Sequence, residues 1–291
     1  MSSLNTPSPV CSRTAGLVPW ARLCTVTLLP LLAVALSLAL CLPEARADDT
    51  AARLAQAVHD RPAGRDATTV SRMELVERGR TPRTRQLIAY HQDRGSAGSA
   101  NLIRFLQPED IEGTGLLGIT KADGSTDQWL YLPALDRSRR VAGDRKGGRF
   151  VGSDLYFEDL QERLPGKDRH RILGKESVGG TLCEALESVP LDPTSSVYLK
   201  RVSWVDPQTS LVLRVDYFER DEAQPSKRWQ ALERRRVQNI WTVTHSLMTD
   251  LLSGHETRLQ VQKVIYDRKL PDRLFSSRAL ADEQIESEFR P

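Results

Sequence analysis

The sequence predicts a mainly β protein with few helices, its sheet antiparallel and strongly curved or closed. Turn signals recur through most of the chain, among them RGRTP at 78–82, DRGSAGS at 93–99, KADGS at 121–125, PGKD at 165–168 and DPQT at 206–209. Between them lie about ten or eleven β-rich runs joined locally, with no βαβ alternation. A single short amphipathic helix stands ahead of the strands.

That helix is expected over residues 50–60 (TAARLAQAVHD), with Leu54, Ala57 and Val58 on one face behind an Asp48/Asp49/Thr50 cap, and Arg61-Pro62 ends it. The clearest strand is 210–219, where Leu211, Leu213, Val215 and Tyr217 alternate with Arg214 and Asp216, so one face is expected to be buried. It pairs with 197–205 across Asp206-Pro207-Gln208-Thr209 as a hairpin. Residues 240–251 and 256–266, split by Ser253-Gly254, repeat the arrangement.

The first 47 residues read as a Sec-type signal peptide. Arg13 and Arg22 are the only early charges, an apolar run covers 23–42, and the triplet Ala45-Arg46-Ala47 places cleavage after Ala47. An uncleaved anchor is the rival, because twenty apolar residues can span a bilayer. A lipoprotein reading fails on the bulk of Leu40 before Cys41. Residues 48–291 then form one periplasmic domain. Cys11, Cys24 and Cys41 lie in the leader, so Cys183 stands alone and no intramolecular disulfide forms in the mature chain. Removing the leader's three basic residues and one acidic residue from 41 and 38 leaves a net charge near +1, which is no nucleic-acid signature.

Residues 101–163 carry the largest apolar payload, and no catalytic constellation accompanies it. Gly113-Thr-Gly115-Leu-Leu-Gly118 matches GxGxxG, yet a turn precedes it and a strand follows, which predicts a bend rather than a dinucleotide loop. No G-x-S-x-G elbow occurs, and Ser153-Asp154 with His170 or His245 is a pairing any chain this long offers. The five histidines are scattered and no metal is expected. Trp129 and Tyr131 share one strand face, Leu130 and Leu132 the other, so both faces should be buried; one meets an ordinary core and the second needs more protein or a ligand. The basic run DRSRRVAGDRKGGR, at 136–149, is read as a solvated hairpin tip or as a mobile basic loop at the mouth of an apolar cavity.

The ordered phrases RFLQPEDIEGTGLLGI, DQWLYLPALDRSRRV, RFVGSDLYFEDL, YLKRVSWVDPQTSLVLRVDYFERD and LPDRLFSSRAL resemble the LolA-like outer-membrane lipoprotein-sorting proteins, in their larger periplasmic branch. The resemblance spans about residues 48–280. It implies a half-open barrel lidded by helices that carries acylated cargo through the periplasm without cofactor or catalysis. It also implies an inner-membrane transporter as donor and an outer-membrane acceptor. A sensor or accessory protein of a lipid-exporting transporter is the alternative. On this reading the acyl chains of a lipoprotein or lipid meet Ile103, Phe105, Leu116, Trp129, Tyr131, Phe150, Tyr156 and Phe157, with Arg139, Arg140 and Arg145 near the mouth.

Overall fold

The computed structural model describes residues 42–291, with side chains from Asp49 onward. Residues 1–41, with all of the leader's apolar run but Leu42, lie outside them. Residues Ala45–Pro291 form one compact unit. Helix α1 (Leu42–His59) begins ahead of the expected cap, with Pro43 in its first turn, where a missing N–H costs no hydrogen bond. Its buried stripe is Ala51, Leu54, Ala55 and Val58, whereas Ala57 is exposed, which corrects the predicted face by the helical period.

Thirteen strands make one antiparallel sheet that does not close into a barrel. They are β1 (Asp66–Val76), β2 (Arg83–Asp93), β3 (Gly98–Gln107), β4 (Gly115–Lys121), β5 (Thr126–Leu132), β6 (Arg137–Arg140), β7 (Asp168–Val178), β8 (Thr181–Pro190), β9 (Lys200–Val205), β10 (Val212–Phe218), β11 (Lys227–Val237), β12 (Ile240–Asp250) and β13 (Glu256–Tyr266). Their order is β6-β5-β4-β3-β2-β1-β13-β12-β11-β10-β9-β8-β7. Each half is thus a meander, and β1 pairing with β13 joins them. Open sheets beyond about ten strands curl.

Both expected hairpins form, β9 with β10 and β12 with β13. The strand count exceeds the expectation because short runs such as β6, four exposed residues, carry no alternation to read. The single apolar face expected for 211–217 is also corrected. A bulge at Leu213 breaks the period, so Leu211 and Leu213 pack with Cys183 and Trp204 on one side, while Val212, Val215 and Tyr217 turn to the other.

Two layers of non-strand chain cover the sheet. The strap, residues 141–167, leaves edge strand β6 and crosses to the opposite edge β7, and α1 lies on the same face. The C-terminal segment, with helices α2 (Ser277–Ala281) and α3 (Gln284–Ser287), covers the other face over β1–β5. Fully buried Arg104 pins it by donating to the carbonyls of Gly113 (2.7 Å), Leu280 (2.9 Å) and Ala279 (2.9 Å), with Glu286 beside its Nε. A cation that spends its donors on a helix end both satisfies orphan carbonyls and avoids an uncompensated buried charge.

Candidate functional site: the space beneath the strap

Polar clamps fix the strap at its middle. Asp154 is fully buried and accepts from Arg149 Nη1 (2.8 Å), His255 Nδ1 (2.6 Å) and Thr257 Oγ1 (2.7 Å), which ties the strap to the β12–β13 turn. Arg149 reaches on to Asp250. Five residues later Asp159 accepts from Lys227 Nζ (2.8 Å) and from Tyr198 Oη (2.7 Å). The Lys227 ammonium sits 3.3 Å from the ring centre of Tyr156 and just over 5 Å from those of Tyr198 and Tyr217, a cage of negative ring faces around a buried cation. Burial pushes the Lys227 pKa down, against the pull of Asp159, and pushes that of Tyr198 up. Glu158 accepts from Ser196 Oγ and the Val197 amide (2.7 Å) and binds the β8–β9 loop.

Between strap, α1 and the strands β7–β10 lies a cavity of about 300 Å³. Strand register sets its polarity. Ser188, Arg201 and Tyr217 form one cross-strand row, Leu186, Ser203 and Val215 the next, and Val205 and Val212 the last. Ala55 and Val58 of α1 line the cavity too, and α1 packs on Leu186 and Val205 in a cluster that Val212 joins. The cavity therefore grades from a polar pole at Arg201 to an apolar pole at α1. At the polar pole Asp168 is shared by Arg163 (2.6 Å) and Arg201 (2.6 Å). A second hollow, about 390 Å³, lies beneath the strap over β1–β3, lined by Ala67, Ala89, Ile103 and Leu160 among others.

Of the residues singled out by sequence, Ile103 lines this second hollow. Phe105, Leu116, Phe150 and Phe157 meet in a dense cluster beneath the strap, with Phe105 and Phe150 ring centres 5.5 Å apart and Phe150 and Phe157 6.0 Å apart. Tyr156 belongs to the lysine cage. Trp129 and Tyr131 lie on the other face, packed with Leu270, Leu274 and Leu280 of the C-terminal segment. Both faces of β5 are covered, and on both sides the cover is protein. Arg139 and Arg140 belong to edge strand β6, paired with β5, and not to a loop; Arg140 pairs with Asp127, and Arg145 sits in an exposed turn. Charged residues along an unpaired edge discourage strand addition by another chain.

The remaining motifs resolve locally. Gly113 takes φ +76° in the turn before β4, and Gly115 and Gly118 lie within β4, where no helix follows. Ser153 is fully buried and donates to the Phe150 carbonyl (2.7 Å), so its proton is spent there and not on a histidine. His170 is held between Ser188 Oγ and the Pro165 carbonyl, both 2.9 Å away. Among the described residues no group of three His, Cys, Asp or Glu side chains is placed to hold a metal ion. Sequence reading missed the graded cavity itself. Its signal was the face Arg201, Ser203, Val205, a strand side that runs from charge to aliphatic.

Comparison with known proteins agrees with this architecture. A family model described as "Uncharacterized protein" matches residues 98–282. No curated protein matches the chain. Among solved structures it is similar to a domain from Vibrio parahaemolyticus named for outer membrane lipoprotein sorting, at 28% identity and TM-score 0.76, over 81% of this chain and 100% of that one. A DUF1329 family protein from Desulfovibrio piger gives 28% identity and TM-score 0.76, over 80% and 99%. A LolA superfamily protein from Nitrosomonas europaea, 16% identical with TM-score 0.61 over 80% and 99%, shares the fold. With a family model across more than half its length, the chain belongs to the family which that model describes, and its open antiparallel sheet is the LolA-like fold.

Proposed function

We propose that this protein is a periplasmic carrier that holds acyl chains of lipoproteins or lipids between its strap and its sheet for transfer toward the outer membrane. The observation that carries the reading is the pair of hollows under a cover whose middle is held by ion pairs and hydrogen bonds rather than by the sheet's own ladder. The likeness to a domain named for lipoprotein sorting supports it. At about 0.8 kcal/mol per methylene, one sixteen-carbon chain loses on the order of 12 kcal/mol of burial on entering water. A sheltered apolar space offsets that loss without chemistry.

In this reading Ile103, Phe105, Leu116, Phe150 and Phe157 are the bed an acyl chain shares when the strap lifts. Tyr156 is part of the latch, and Arg139, Arg140 and Arg145 flank the edge from which the strap departs. Trp129 and Tyr131 support that bed from behind. An inner-membrane transporter is the donor and an outer-membrane component the acceptor. The test is native mass spectrometry of the mature protein purified gently from periplasm. Co-purifying acyl species are expected; an empty protein that also strips no lipoprotein from membranes overturns the proposal.

A further inference from the structure

The cavity at α1 holds donors that nothing in the fold consumes. Arg201, mostly buried, offers five N–H groups, and among the described residues a single one is spent, on Asp168. The Tyr217 hydroxyl and the Ser203 hydroxyl, which line the same cavity, donate to nothing among the described residues. The carboxylates nearby are committed. Asp168 is divided between Arg163 and Arg201, Asp159 is held by Lys227 and Tyr198, and Glu158 by Ser196 and the Val197 amide. With Asp168 shared between two guanidiniums, Arg201 keeps most of its N–H donors free for an acceptor.

Four residues along β9, about 13 Å at 3.3 Å per residue, separate Arg201 from Val205. There Val212 and α1 close an aliphatic end. A space with donors at one end and methyl groups at the other matches an amphiphile with an acceptor head. Its volume of about 300 Å³ equals the share of roughly ten water-sized atoms, a single short chain or the proximal part of a longer one.

We infer that this cavity binds single-chain amphiphiles with a carboxylate head, the head received by Arg201, Tyr217 and Ser203 and the chain running toward Val212 and α1. The inference rests on the carrier reading and names the class of cargo end it recognises. Charge-assisted hydrogen bonds of this kind contribute on the order of a tenfold to hundredfold preference.

Titration calorimetry of the purified protein with decanoate, methyl decanoate, decyltrimethylammonium and acetate tests it. Decanoate is expected to bind at least about tenfold tighter than the ester or the cation, with acetate bound far more weakly. Arg201→Gln should abolish the preference for decanoate over its ester, weakening decanoate more than the ester. Tyr217→Phe removes one oxygen and should weaken decanoate by severalfold; it decides the matter if Arg201→Gln does not fold, since an unchanged preference in Tyr217→Phe overturns the assignment. Equal affinity for ester and acid, or acetate binding as well as decanoate, also overturns it. Should no probe bind while acyl species still co-purify, the head assignment falls and the carrier reading stands. If nothing binds and nothing co-purifies, both fall.

Discussion

The two halves of the sheet are built differently. Around Phe105 and Leu116 in the β1–β5 half both faces are apolar and filled by the chain's own covers: the strap brings Phe150 to one, and the C-terminal segment brings Leu274 and Leu280 to Leu102 and Leu117 on the other. The hollow of this half lies aside from that packing, where Asn101 and His91 line it along with Ile103. Over β7–β10 the strap face mixes Arg201, Ser203 and Tyr217 with Val205, Val212 and Val215, and there a cavity remains. The difference teaches that apolar density marks where a chain fills its own space. A hollow survives where a strand face changes character along its length, because no single cover satisfies both ends.

The largest expected effect follows from that contrast. Phe105 is fully buried between Leu87, Leu116 and Phe150, so Phe105→Ala should cost about 3–5 kcal/mol, cavity included. Val212 faces space already empty, so Val212→Ala should cost about 1 kcal/mol, mainly its lost transfer energy. Urea unfolding of the two variants measures the gap. Equal losses would show that the β7–β10 side is as densely filled as the other, and the contrast would collapse.

The strap's attachment to the hollow half is ionic, and Lys227 is its centre. Replacing Lys227 by Met strands the buried Asp159 carboxylate with only Tyr198 and the Tyr156 amide as donors. A loss of about 3 kcal/mol is expected, the low end for an uncompensated buried charge, and Lys227→Met with Asp159→Asn should recover part of it. Recovery in the double variant, read by the same unfolding assay, separates a charge effect from lost packing of the lysine stem.

Alkaline pH probes the same cage with a smaller effect. Burial, and after it the charge of Asp159, raises the pKa of both Tyr198 and Tyr217. Below about pH 10 both are protonated folded or unfolded and add no pH dependence. Above it the unfolded chain sheds protons that the folded chain keeps, so stability falls by up to about 1.4 kcal/mol per pH unit for each tyrosine. Lys227 acts in the opposite sense, since its lowered pKa makes stability rise with pH until the unfolded lysine also titrates. Tyr198→Phe should therefore flatten the loss between pH 10 and 11, and an unaltered slope would remove Tyr198 from the account.

Sequence legibility divides along the same line as packing. The hairpins β9–β10 and β12–β13 were readable because their turns and alternation are local. The pairing of β1 with β13 was not, since it joins residues nearly two hundred positions apart and leaves no periodic trace. The alternation at 129–132 predicts two covered faces, and both are covered, but hydrophobicity cannot say whether the occupant is ligand or the chain itself. The bulge at Leu213 hid the cavity wall: strict alternation assigns Leu213 and Val215 to one face, and the extra residue sends them to opposite faces. Of the three glycines in the GxGxxG match, Gly113 and Gly115 mark close approaches and Gly118 does not.

Those glycines supply the most local prediction. Gly115 lies where an added Cβ would stand 2.8 Å from Arg104 Nη1 and 2.8 Å from a Leu280 methyl. Arg104 is fixed by three carbonyls and cannot retreat, so Gly115→Ala should loosen the C-terminal cover and cost about 1–3 kcal/mol as an overpacked site. At Gly118 the nearest atom is Gln128 Cγ at 3.8 Å, an ordinary contact, and the backbone is not left-handed. Gly118→Ala should then be neutral or stabilising by about 0.4–1 kcal/mol, through the unfolded chain's reduced entropy. If the GxGxxG match cradled a phosphate, both alanines would obstruct it alike. Opposite signs in thermal melts of the two variants would instead tie the motif to the packing of the filled half of the sheet, where one glycine makes room for an arginine and the other only spans a strand.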